Sequence, residues 1–127
     1  MRRTRWRSPI DDRGLAEWVR ALRGQGLSGV YLIRDAPTRE MLYIGESHTG
    51  RLFETLTRHL YVWTGRGAGP SYYPALIRVA LIIAETPLDD PVADQYALIE
   101  RHAPKDNVMD GHTLMLRSFV RRKGAVS

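Results

Sequence analysis

The sequence predicts an α+β domain: a small, three-stranded, mostly antiparallel sheet flanked by helices, with an extra helix at the N-terminus. Three observations carry that expectation. Two β-rich runs of strand length, residues 29–34 and 41–45, are separated by one turn through Asp35, Pro37 and Thr38, the pattern of an antiparallel hairpin. A longer apolar run within 72–84 is apolar on both faces around Arg78, as a central strand is. Helical periodicity precedes, separates and follows these runs.

Taken in order, residues 1–10 carry Arg2, Arg3, Arg5 and Arg7 with almost no apolar periodicity, and read as a flexible basic arm. Asp11 or Asp12 is placed to cap a helix whose apolar stripe is Leu15, Trp18, Val19 and Leu22, ended by Gly24 and Gly26. After the hairpin, residues 46–50 form a polar loop. Thr49 is placed to cap a helix over about 51–63, with Leu52, Leu56, Leu60 and Trp63 on its buried side. Residues 64–71 are a glycine-rich loop. Asp90 as N-cap and Pro91 at the first helical position start a last helix, which runs to about His102 and stops before Pro104. The domain proper spans 11–108, and 109–127 form a basic C-terminal extension. There, Leu114, Leu116 and Val120 suggest a short element, and Arg117, Arg121, Arg122 and Lys123 a basic tail.

The 127 residues suit one domain with one core. No apolar run reaches the roughly 18 to 20 residues of a membrane-spanning helix. The basic N-terminus lacks the apolar stretch of a secretory signal, so a cytoplasmic setting without membrane contact is expected. With no cysteine, the chain has no disulfide, thiolate zinc site or cysteine nucleophile. Four scattered histidines do not make a zinc site, and no GxxxxGK phosphate loop is present. The net charge of +5 is almost all arginine, since Lys105 and Lys123 are the only lysines. GC-rich coding favours arginine, but the planar guanidinium also matches phosphate oxygens, which makes nucleic acid the expected partner.

Gly29-Val30-Tyr31 and Tyr43-Ile44-Gly45 stand one hairpin apart, ahead of an arginine-bearing helix, and Leu98-Ile99 is followed by Pro104-Lys105-Asp106-Asn107. In these features the chain resembles the GIY-YIG nuclease superfamily over about residues 28–108. The resemblance implies an endonuclease that hydrolyses one phosphodiester bond of DNA with one Mg2+ (or Mn2+) per site. It implies that Tyr31 activates or positions the attacking water and that Tyr43 supports the site by hydrogen bonding. Arg51 is the expected phosphate-gripping arginine, with Arg58 as the alternative. His59 on the same helix is a candidate for proton transfer or phosphate contact.

Physical chemistry supplies a parallel reading. Tyr31 and Tyr43 share parity on facing strands, so both rings can point to one sheet face. A free phenol with a pKa near 10 is a poor base unless cations lower it, though it can still orient a water. Gly45 permits close backbone approach to a ligand. Ser47, Arg66, Arg121 and Arg122 are candidate phosphate contacts, the arm and tail clamping the backbone on either side of the cut. Trp63, Tyr72 or Tyr73 are available to stack on exposed bases.

Aligning Leu98-Ile99 and Pro104 with the resemblance places Gln95 where the superfamily carries its metal-binding glutamate. Magnesium wants a hard, charged oxygen, and a neutral amide holds it far less well. Asp94 lies about 100° round the helix and Glu100 about 140°, so neither is a ready substitute. Three explanations stand open: a glutamate-to-glutamine replacement introduced to trap the enzyme on intact DNA, a natural domain that kept binding and lost cleavage, or a register in which Asp94 is the ligand. The function expected is therefore a metal-dependent endonuclease silenced or weakened at position 95. The alternative is a non-catalytic DNA- or RNA-binding module on the same fold. A homodimer, or catalysis completed by a partner, is a third arrangement, since a double-strand break needs two sites or two successive nicks.

Overall fold

The computed structural model describes residues 1–60 and 69–107. In chain order, β1 (Arg2–Arg3) is followed by a small hairpin, β2 (Ile10–Asp11) and β3 (Gly14–Leu15), and by the short helix α1 (Glu17–Arg20). The hairpin β4 (Gly29–Asp35) and β5 (Met41–Ser47) leads into α2 (Leu52–Thr57) and a 3-10 turn at Arg58–Leu60. A second 3-10 turn, Pro74–Leu76, precedes β6 (Ile77–Ile83), and α3 (Pro91–His102) follows.

The expected α+β class and the mostly antiparallel sheet are present, but the strand count is corrected from three to four. The sheet order is β1-β6-β4-β5, with every pairing antiparallel. The fourth strand comes from the expected flexible arm, which lies along β6. An open edge on β6 would leave a row of unpaired backbone groups. The arm pairs them: Thr4 N–H donates to Leu81 O at 2.9 Å, Arg7 N–H to Val79 O at 3.0 Å, and Val79 N–H to Arg7 O at 2.8 Å. Between these bonds the arm carries an extra residue, and the Thr4 hydroxyl accepts Leu81 N–H at 2.9 Å in place of a carbonyl. This strand is held by backbone bonds rather than an apolar stripe, so hydrophobic patterning does not register it.

The β4–β5 turn forms as its residues require. The Asp35 carboxylate accepts the Thr38 N–H at 2.9 Å and the Thr38 hydroxyl at 2.7 Å. The last helix also starts as expected. Asp90 accepts Ala93 N–H at 3.1 Å, Pro91 opens the helix, and Ala103 ends it with φ 45°. Four boundaries differ from expectation. The N-terminal helix begins only at Glu17, because Asp11 is spent on a turn, accepting Arg13 N–H at 2.8 Å, and Leu15 belongs to β3. The next helix starts at Leu52 with Arg51 at its N-cap and no side-chain cap, so Thr49 does not cap it; the Ser47 hydroxyl accepts Arg51 N–H at 2.9 Å just before it. The third strand begins at Ile77, after a 3-10 turn initiated by Pro74. The helix expected to reach Trp63 ends at Thr57 and passes into the 3-10 turn at Arg58–Leu60, while residues 61–63, the loop around Arg66 and the whole extension from 109 lie outside the described residues. Among the described residues no helix is long and apolar enough to cross a membrane.

The sheet separates two apolar layers. Tyr31, Ile33, Val79, Leu81 and Ile83 face Leu22, Leu52, Leu56 and Leu60. On the other side Val30, Leu32, Ile44 and Ile82 face Leu98 and Ile99 of α3. The free edge of β5 is covered by the segment after α3. Lys105 N–H donates to Met41 O at 3.1 Å and Asp106 N–H to Leu42 O at 2.8 Å. The Asn107 side chain then imitates a peptide: its Oδ1 accepts Ile44 N–H and its Nδ2 donates to Ile44 O, both at 2.9 Å. The Pro104-to-Asn107 run is thus an edge cover for the strand that carries Tyr43 and Gly45.

Candidate active site

Tyr31 lies in the middle of β4, directly opposite Gly45 on β5. A Cβ at position 45 would sit 2.2 Å from the Tyr31 hydroxyl oxygen, so the phenol lies across the glycine. Gly45 therefore makes room for the tyrosine rather than for an approaching ligand. Laid flat in this way, the Tyr31 hydroxyl reaches His59 Nε2 at 2.8 Å. The other ring nitrogen, Nδ1, is 2.7 Å from the Pro70 carbonyl oxygen. A carbonyl only accepts, so Nδ1 carries the hydrogen, Nε2 is bare in the neutral ring, and the Tyr31 O–H donates to it. Gly69 is a close cover for the imidazole: a Cβ there would stand 2.9 Å from His59 Cε1. Tyr72 N–H, donating to His59 O at 2.8 Å, ties the covering segment back to the 3-10 turn.

Tyr43 completes the cluster, its ring centroid 4.5 Å from that of His59 and 6.2 Å from that of Tyr31. Both tyrosines thus share one face of the sheet, as their parity requires. Tyr31 is 3% exposed and His59 5%, whereas Tyr43 and Tyr72 are partly exposed and form the side open to solvent. Burial pushes the Tyr31 phenol well above the usual range, with Tyr43 and Glu46 adding to the shift and Arg58 opposing it. Burial likewise raises Tyr43. Burial lowers His59 below the usual imidazole range, the bond to Pro70 opposes that, and the Arg58 charge reinforces it. At neutral pH the cluster consists of neutral phenols around a neutral imidazole, with one O–H···N bond along which a proton can move.

Of the two arginines singled out on this helix, Arg58 is the one whose charge acts on both Tyr31 and His59. Arg51 is exposed at the N-cap of α2. Ser47 is buried and spent on the Arg51 N–H, so it does not present a hydroxyl to a surface ligand. Arg66, Arg121 and Arg122 lie outside the described residues. Two members of the neighbourhood have no signal in the sequence as site residues. The Pro70 carbonyl is backbone and so invisible to residue type. Asp106 accepts the Tyr72 hydroxyl at 2.9 Å, and burial together with Asp106 raises that phenol. Asp106 is legible only as part of the segment that follows α3.

Gln95 projects from α3 to the edge of β5, where its Nε2 donates to Ile44 O at 3.3 Å. That contact puts position 95 against the hairpin. As a ligand for magnesium, Gln95 offers only one neutral amide oxygen, a poor substitute for a carboxylate. No protein-family model, curated protein or solved structure matches the chain.

Proposed function

We propose that this domain is a DNA endonuclease of the GIY-YIG kind, hydrolysing a phosphodiester bond, with cleavage weakened or silenced by Gln95. The observation that carries the reading is the chain from the Tyr31 hydroxyl to His59 Nε2 and from His59 Nδ1 to the Pro70 carbonyl. A buried phenol is a poor base because its anion is costly in low dielectric. The neutral imidazole behind it removes that difficulty. As an attacking water gives its proton to the Tyr31 oxygen, the phenolic proton passes to His59 Nε2, and no free phenolate forms. The water oxygen bonds to phosphorus, the bond to the leaving oxygen breaks, and that oxygen takes up a proton. Arg58 is placed to offset the charge on the phosphoryl oxygens, with Arg51 at the exposed start of α2 as a further contact to the phosphate. The net charge of +5 favours DNA as the partner.

A divalent ion enters this reading only with a carboxylate at position 95. The test compares the chain with Gln95→Glu on supercoiled and branched DNA with magnesium or manganese. Cleavage by the substituted protein alone, abolished again by Tyr31→Phe, supports the endonuclease. A second reading, a non-catalytic DNA- or RNA-binding module, is favoured by the bond that Gln95 makes to Ile44 and by the depth of Tyr31 and His59. Salt-sensitive binding by both proteins, with cleavage by neither, selects that module.

A further inference from the structure

The extra residue between β1 and Arg7 sorts the basic side chains of the N-terminal segment between the two faces. Arg2 pairs with Ile83 and Arg7 with Val79, residues of the Tyr31 face, whereas Arg3 pairs with Ile82 of the other face. Arg2 and Arg7 there line a cavity of about 370 Å³, together with Thr4, Trp18, Gln25 and Leu81. Leu81 is the cross-strand neighbour of Tyr31, so the cavity and the tyrosine cluster share one sheet face. The arm is three strand spacings from β5, over which the Tyr31 hydroxyl lies, roughly 14 Å, which matches the axial rise of about four nucleotides in one DNA strand.

Arg7, like Arg34 over Trp6, stacks on an indole with its Nε buried and unpartnered, but Arg7 is the one that lines this cavity. Its guanidinium carbon stands 4.4 Å over the Trp18 ring, and that ring is fixed by donation from Trp18 Nε1 to Ser8 O at 2.7 Å. The Arg7 Nε is buried without a hydrogen-bond partner. Among the described residues no carboxylate pairs with Arg7 or with Arg2. A half-buried cation with an unsatisfied N–H costs free energy that an anion beside it would recover. Planar guanidinium forks on a roomy cavity match the tetrahedral oxygens of a phosphate.

We propose that this cavity is a phosphate pocket that takes one backbone phosphate of the strand bound across the Tyr31 face. The proposal rests on the nucleic-acid reading above and adds to it a second point of attachment, apart from the reacting phosphate. The experiment has two arms on the full chain. In the first, inorganic phosphate is titrated at low salt while the Arg7 Nε–H and Trp18 Nε1–H resonances are followed. In the second, affinity for a short fluorescent duplex is measured over a salt series for the parent, Arg2→Gln, Arg7→Gln and Tyr31→Phe. The expected result is that phosphate shifts both resonances and that Arg7→Gln abolishes the Trp18 response. Each arginine substitution should flatten the slope of log affinity against log salt by about one, with Tyr31→Phe leaving it unchanged. Arg2 is exposed, so its variant keeps the test independent of folding. Unshifted resonances, or parental slopes in both arginine variants that still bind DNA, overturn the pocket and leave the endonuclease reading standing. Phosphate binding in a chain that binds no DNA overturns the nucleic-acid occupant and that reading together.

Discussion

The two faces of the sheet are closed in different ways. Against Val30, Leu32, Ile44 and Ile82 lies one helix of 12 residues, α3, whose Leu98 and Ile99 complete an apolar cluster with polar groups only at its margin. Against Tyr31, Ile33, Val79 and Leu81 lie Trp18 of the 4-residue α1, Leu52 and Leu56 of the 6-residue α2 and Leu60 of the 3-10 turn that follows it. That broken cover encloses a phenol, an imidazole and a carbonyl joined in one hydrogen-bonded chain. A continuous helix consumes its own backbone groups and offers its partner only side chains. A cover made of short pieces leaves carbonyls such as that of Pro70 free to bond a buried ring. The face that is harder to close is therefore the one able to keep polar chemistry inside.

Substitutions on the two faces should separate these roles. The largest effect is expected on the apolar face, where Ile44 is fully buried. Ile44→Ala should cost about 2 to 5 kcal/mol in urea unfolding while leaving the His59 ring resonances in place. A cost below about 1 kcal/mol would mean that α3 is not the stabilising cover it is taken to be.

On the polar face, Gly45→Ala drives a methyl into the Tyr31 ring and should cost about 2 to 3 kcal/mol. Unlike Ile44→Ala, it should also displace the His59 resonances, because Tyr31 must leave Nε2. Unmoved histidine signals would show that the ring does not depend on the glycine.

Tyr31→Phe is a smaller change, about 1 to 2 kcal/mol, since it leaves a buried acceptor on His59 without a donor. The acid limb of stability should report the same pair. Because the folded-state pKa of His59 lies below its ordinary value of 6.5, the stability linked to it is complete above that value and is lost as pH falls through the lower, folded one. His102, lowered by burial and by Arg101 and Arg3, acts in the same direction. Residue-resolved NMR titration separates them, and a His59 midpoint at or above 6.5 contradicts the burial argument.

The smallest effect is expected at Gln95→Glu. It loses the 3.3 Å bond to Ile44 O, but Asn107 still donates to that oxygen, so the cost should stay near 0.5 to 1 kcal/mol. A much larger loss, measured by thermal unfolding, would make Gln95 part of the structural edge and weaken its comparison with a metal ligand.

Several parts of this arrangement are legible along the chain. The hairpin of Tyr31 and Tyr43, their common face, and the helix from Pro91 to His102 follow from parity, turn residues and the Asp90 cap. Local signals fail where the deciding partner is distant. Asp11 is placed to cap a helix and Thr49 to cap α2, but in the folded chain Asp11 closes a turn and α2 starts with no side-chain cap. Arg51 and Arg58 stand at the two ends of α2 and cannot be ranked by spacing, since only the folded chain says which charge reaches the Tyr31–His59 pair.

Residue types and short-range periodicity by themselves determined the α+β class, the central hairpin and the cap of the last helix. Those features are set by interactions within a few residues or by the two-residue alternation of a strand. Tyr31, Tyr43 and His59 became candidates only through the resemblance that the paired motif carries. Tertiary structure alone decided that the N-terminal segment is a fourth strand, that Asn107 completes the edge of β5, and that His59 stands between Tyr31 and the Pro70 carbonyl. Each of these depends on backbone hydrogen-bonding groups brought together from far apart in the chain. Every residue carries such groups, so no pattern of side chains announces which of them will meet.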